Sequence, residues 1–97
     1  IIKIGRFILA NPELGYREVK TSRFIRSLFD AEGLESESPF GLTGIRARIG
    51  SPKGVNIAVL SELDAVVSYG HPFSDPSDGA AHACGQVVCS VEAAITA

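Results

Sequence analysis

The chain of 97 residues has no tryptophan and no methionine, only two cysteines and two histidines, and little surplus charge of either sign. Each shortage excludes something. Nine lysines and arginines stand against eleven acidic residues, a net charge of -2 with no basic patch, so nucleic acid is not an expected partner. No apolar run approaches the roughly 18 residues that suggest a membrane span. The N-terminus lacks the positive cluster, apolar stretch and small-residue cleavage site of a signal peptide. Cys84 and Cys89 match neither a CxxC redox pair nor half of a zinc ribbon. Their separation suits no disulfide on one helix, which argues against a thiol-redox protein. Free thiols fit a reducing cytoplasm.

What is present is an ordinary globular composition, 45% hydrophobic and 21% charged. The length allows one domain at most, and a marginal one. Ile1 opens inside an apolar helix-like stretch without a starting methionine, and Ala97 closes inside another without a cap. The chain therefore reads as a piece of a longer protein.

Along the chain, Ile1, Ile4, Phe7 and Ile8 recur at helical spacing until Asn11-Pro12 stops them. PELGY follows as a turn. A second helix is expected from about Arg17 to Glu32, with Val19, Ile25, Leu28 and Phe29 on or near one side. Lys20, Arg23, Arg26 and Asp30 fall largely on the other. Gly33 supplies the residue that closes it, and Leu34 folds back on the last turn. Pro39, Gly41 and Gly44 mark a loop. Ile45 to Ile49 alternates as a half-exposed strand, and GSPKG (50–54) reads as a hairpin turn. The second arm, VNIAVLSELDA, holds the continuous run Ile57-Ala58-Val59-Leu60, as a strand covered on both faces would. A turn-rich loop spans about Val67 to Gly79. From Cys84 onward, Val87, Val88, Val91, Ala94 and Ile95 form one apolar helix face. The order is helix, helix, strand, strand, loop, helix: an α/β arrangement.

Chemistry has two candidate places. Ser61-Glu62-Leu63-Asp64 follows the expected buried strand, where ligands bind in open α/β sheets. Alternation sets Glu62 and Asp64 on one face. They either hold a metal, orient a metal-binding imidazole or share a proton, or they simply end the strand and meet water. The second place is His82-Ala83-Cys84-Gly85-Gln86. Imidazole and thiolate are good ligands for zinc, and a helix N-terminus at Cys84 lowers a thiol pKa. The plainer alternative is a hydrogen-bonded core histidine beside small buried thiols. His71-Pro72 reads as a surface turn, and Asp75 and Asp78 lack the ligand series of a calcium loop.

Three stretches together go further. NPELGYREVKTSRFIRSLFDAEG is similar to an opening of the form HPELGFEE…TS…I…L…LG. IAVLSELDAV is similar to a strand ending in D-M-D-A-L or E-Y-D-A-L, and GAAHACGQ to HACGHD or HACGHN. In this order they resemble the metal-dependent amidohydrolase and peptidase family that includes aminoacylases, plant auxin-conjugate hydrolases and bacterial aminobenzoyl-glutamate hydrolases. The resemblance covers nearly all of the chain.

It implies a two-metal hydrolase with a helix-flanked, zinc-peptidase-like catalytic domain, of which residues 1–97 would be an incomplete N-terminal segment. The expected activity is hydrolysis of an amide in an N-acyl amino acid or similar small molecule. The expected cofactor is a divalent metal, zinc or manganese. Family members are often homodimers through a further domain absent here, and neither a membrane nor nucleic acid is implied. By carry-over Cys84 is a metal ligand, Asp64 supports the site, Glu62 matches a position that is often acidic, and His82 leads the metal motif. The general base and further ligands would come from beyond this segment. Gln86 stands where the family has its histidine ligand, and Val87 where it has Asp or Asn. An amide carbonyl is a poorer zinc or manganese ligand than an imidazole. Gln86-Val87 therefore also suits a degenerate paralogue or truncated relic with a structural or partner-binding role.

Overall fold

The computed structural model describes residues 2–82. Their elements run α1 (Ile2–Ala10), α2 (Val19–Ala31), β1 (Ser36–Phe40), β2 (Gly44–Ala47), β3 (Val66–Val67) and β4 (Ala80–Ala81). The helix expected from Cys84 lies outside the described residues.

Both helices follow from their apolar spacing. Ile4 and Ile8 of α1 and Ile25 of α2 form the buried core, with Phe24, Leu28, Phe29, Ile45 and Leu63 packed around it. Burying each isoleucine contributes about 1.5–3 kcal/mol. Phe7 and Phe24 stack with ring centroids 3.9 Å apart and tie the two helices together. The Nδ2 of Asn11 donates to the Phe7 carbonyl (2.8 Å), satisfying one of the free carbonyls that end α1. At the end of α2 the Leu34 N–H donates to the Phe29 carbonyl and the Gly33 N–H to that of Asp30. Gly33 has a φ of 70°, so the close predicted from Gly33-Leu34 is formed.

The strands depart from expectation. β2 pairs antiparallel with β1, the segment expected as a loop, through Ser36↔Ala47, Glu37↔Arg46 and Phe40↔Gly44. The register shifts between Glu37 and Phe40, where Pro39 has no N–H to give the ladder. Gly44 is required there: a Cβ would sit 2.5 Å from the Phe40 carbonyl oxygen. β2 thus spends its pairing on the residues before it, and the hairpin predicted across GSPKG does not form. The expected buried strand is corrected too. Residues 55–64 hold no strand, and Ile57 and Leu60 are 89% and 87% exposed. Among the described residues nothing pairs with that run, so its alternation has no sheet to face. Strand pairing resumes only at β3, which joins β4 through Val66↔Ala81 and Val67↔Ala80. The described residues are of α/β type, with two helices and two small antiparallel sheets.

Candidate functional site

Two backbone ladders bring the three motif stretches together. Leu14 forms a parallel bridge with Ala65, and the Ala65 N–H donates to the Glu13 carbonyl (2.7 Å). One residue further along, Val66 pairs with Ala81. The PELGY turn, the LDAV segment and the AAH segment thus lie side by side, with Glu13, Asp64 and His82 at their junction. Gly15 packs against Asp64; a Cβ on it would stand 4.0 Å from the Asp64 Cβ.

The PELGY turn is held from its other side by Glu13. Its Oε1 accepts from the Lys20 N–H (2.9 Å), and its Oε2 from the Thr21 N–H (2.8 Å) and the Thr21 hydroxyl (2.9 Å). These are free donors of the first turn of α2, whose own N-cap residue, Glu18, makes no capping bond. A carboxylate at a helix N-terminus is favoured by the helix dipole as well. Glu18 is buried and accepts instead from the Thr43 hydroxyl, tying the start of α2 to the β1–β2 turn. Thr21 is fully buried.

His82 is 5% exposed, and among the described residues neither ring nitrogen has a hydrogen-bond partner. Burial pushes its pKa below the ordinary value of 6.5, while the Asp64 and Glu13 carboxylates pull it back upward. A buried polar ring without partners is costly. Such a ring next to a carboxylate has the donor chemistry that a divalent cation or a second polar group requires.

The segment between β3 and β4 is a folded strap. The Ser68 N–H donates to the Gly79 carbonyl (2.7 Å), the Asp75 N–H to that of Ala80 (2.8 Å) and the Gly79 N–H to that of Asp75 (2.8 Å). Ser77 donates to Asp75 through its hydroxyl and its N–H, and this holds the Asp75 carboxyl below its ordinary pKa. Gly79 has a φ of 73° and lies under the Tyr69 ring. Asp75 and Asp78 each bond the backbone two residues on, which matches their reading as turn formers.

Of the residues singled out from sequence, Asp64 and His82 lie at the junction. Glu62 is exposed to solvent rather than lined up with Asp64 along a strand. Cys84 and Gln86 lie outside the described residues. Among the described residues no three His, Cys, Asp or Glu side chains are arranged to hold a metal. An open cavity of about 350 Å³ lies between α2 and the β1–β2 turn, lined by Arg23, Arg26, Pro39 and Leu42 among others. It includes none of the junction residues. Glu13 was not singled out by sequence reasoning; its one signal was a carboxylate directly after the helix-stopping Pro12.

No family profile matches the chain, but individual proteins do. IAA-amino acid hydrolase ILR1-like 6 of Arabidopsis thaliana is 40% identical over 88 residues, which cover 86% of this chain and 18% of that protein. IAA-amino acid hydrolase ILR1-like 2 of the same plant is 36% identical over 88 residues, covering 88% and 20%. N-acetylcysteine deacetylase of Bacillus subtilis is 34% identical over 90 residues, covering 88% and 24%. The chain spans about a fifth of the length of these relatives. The likeness runs across the stretches that the two ladders join, and on it the chain belongs to the metal-dependent amidohydrolase family.

Proposed function

We propose that this chain is the N-terminal segment of the catalytic domain of a metal-dependent hydrolase that cleaves an amide bond in an N-acyl amino acid or a similar small amide. The observation that carries the reading is the junction itself. Three motif stretches that are separate in the sequence meet through Leu14↔Ala65 and Val66↔Ala81. The relatives named for hydrolysing amino-acid conjugates or deacetylating N-acetylcysteine support the substrate class. In the whole protein the sheet would be helix-flanked and zinc-peptidase-like.

Cys84 would hold a divalent zinc or manganese ion, with Gln86 at the position of a second ligand, Asp64 supporting the shell and His82 beside it. Bound there, such an ion supplies Lewis-acid polarisation of the amide carbonyl and a water of lowered pKa. The residues of this chain supply position and charge. Asp64 contributes negative charge at the end of its segment and an acceptor for a ligand's N–H. His82, kept neutral by burial, adds a donor and an acceptor without adding charge. The proton-transferring carboxylate and the remaining ligands would come from outside this segment. The reading places the protein in a reducing cytoplasm, where Cys84 stays a thiol, and makes it a homodimer through a further domain.

The test is hydrolysis of a panel of N-acyl amino acids by the full-length protein, with and without added Mn2+ or Zn2+. Metal-dependent release of the amino acid is expected, abolished by a chelator. Absence of turnover at every metal and substrate would contradict the reading.

Gln86-Val87 favours a second reading, a catalytically degenerate paralogue with a structural or partner-binding role. On that reading Gln86→His restores neither metal binding nor activity to the full-length protein. A gain of stoichiometric metal on that substitution would count against it.

A further inference from the structure

We propose that Glu13 is a positioning residue that fixes Asp64 in the site, an inference that rests on the amidohydrolase reading above. Its bonds run to both sides of the junction. The side chain of Glu13 takes three hydrogen bonds from the first turn of α2, and its own carbonyl takes the Ala65 N–H at 2.7 Å. One residue thus binds the rigid helix with its carboxylate and the Asp64 segment with its backbone.

The rest of the neighbourhood shows why that link matters. Upstream, residues 55–62 are exposed and in no strand, and Leu63, next to Asp64, packs against the core. Downstream, β3 and β4 are only two residues each. The ladder at Leu14–Ala65 joins the segment to the PELGY turn, and that turn is anchored through the Glu13 carboxylate. Bonds to an ionised acceptor are the stronger class. Thr21, fully buried, offers two of the three donors. Glu13 does not touch the reacting atoms; it acts through Asp64.

Positioning and bulk stability make different predictions. Residues that orient a metal site typically change metal affinity by about 10–100-fold when removed. The comparison uses the full-length protein as wild type, Glu13→Ala, Glu13→Gln and a stability control, Gly33→Ala. Gly33 follows α2 with a φ of 70°, at the opposite end of the helix from the donors that Glu13 binds. Two readings are taken: hydrogen exchange of the peptide spanning residues 61–67 without metal, and Mn2+ affinity by calorimetry. Both are made well below the melting temperature of each variant.

Glu13→Ala is expected to speed exchange in that peptide by about tenfold or more and to weaken Mn2+ binding by about 10–100-fold. Glu13→Gln keeps one oxygen for the Thr21 donors and should recover most of both losses. Gly33→Ala should leave Mn2+ affinity within about threefold of wild type. Glu13→Ala behaving like Gly33→Ala in both readings would overturn the proposal, as would Glu13→Gln behaving like Glu13→Ala. A wild-type protein that takes up no Mn2+ would overturn the hydrolase reading instead, and the exchange rate alone would then decide whether Glu13 holds Asp64.

Discussion

Single residues carry most of what holds the junction, and their costs can be ranked. Thr21→Val removes a buried hydroxyl that donates to an ionised carboxylate, a bond of a class worth about 1.5–3 kcal/mol. Chemical denaturation should show a loss of that size. Gly79 combines two constraints: a φ of 73° and the Tyr69 ring 2.8 Å from where a Cβ would stand. Tyr69 is exposed and can swing aside, so the backbone conformation decides the cost, about 1–2 kcal/mol for a residue with a side chain. Gly79→Ala should therefore lose nearly as much in a Tyr69→Ala background as alone. Asp75 is a pH probe. Its carboxyl titrates below 3.8 in the folded chain because Ser77 bonds the ionised form. The contribution is present above pH 3.8 and is lost as pH falls through the lower folded value. Ser77→Ala should move the Asp75 titration, followed by NMR, back upward. Asp64 and His82 stand out in sequence because motif-bearing residues are read one at a time, and the fold brings both to the junction. Glu13 does not stand out, because its partners Lys20, Thr21 and Ala65 are assigned only by the fold.

At the level of elements, local pattern and non-local pairing part company. The two helices and the Gly33 close were readable because apolar spacing and end signals lie within the element itself. Ile4, Ile8 and Ile25 are the outcome. Strand pairing depends on which segment lies beside the edge, and alternation in IRARI says nothing about its partner. β1 took that edge although Pro39 and the glycines around it read as a loop. Within this hairpin the ion pair is the lesser element. Arg46 and Glu37 are 2.6 Å apart but 40% and 61% exposed, and exposed pairs contribute about 0–1 kcal/mol. Gly44 faces a backbone oxygen that cannot turn away. Glu37→Gln should change stability by under about 1 kcal/mol, with the difference fading in salt. Gly44→Ala should cost about 1–3 kcal/mol, because the hairpin must open to admit the Cβ. A larger loss for Glu37→Gln than for Gly44→Ala in thermal unfolding would reverse this ranking.

Over the whole molecule, the described residues combine a small core with a long apolar exposure. Val55, Ile57, Val59 and Leu60 are all exposed. Their sequence is rich in β-branched residues and free of charge, the composition that drives strand-to-strand association. The 97-residue polypeptide on its own should self-associate, and Ile57→Lys should reduce light scattering without lowering the melting temperature. That run was read as a covered strand because its composition is that of one; burial depends on partners that composition does not specify. No helix among the described residues is long and apolar enough to cross a membrane. The central claim is that these motif stretches form part of a metal-dependent hydrolytic site. Its most direct test is the metal content of the full-length protein purified from medium containing zinc and manganese, compared with its Cys84→Ser variant. About one or two ions per chain in the wild type, with a clear loss in the variant, is the predicted result. A wild-type protein without bound metal, or a metal content that Cys84→Ser leaves unchanged, would contradict it.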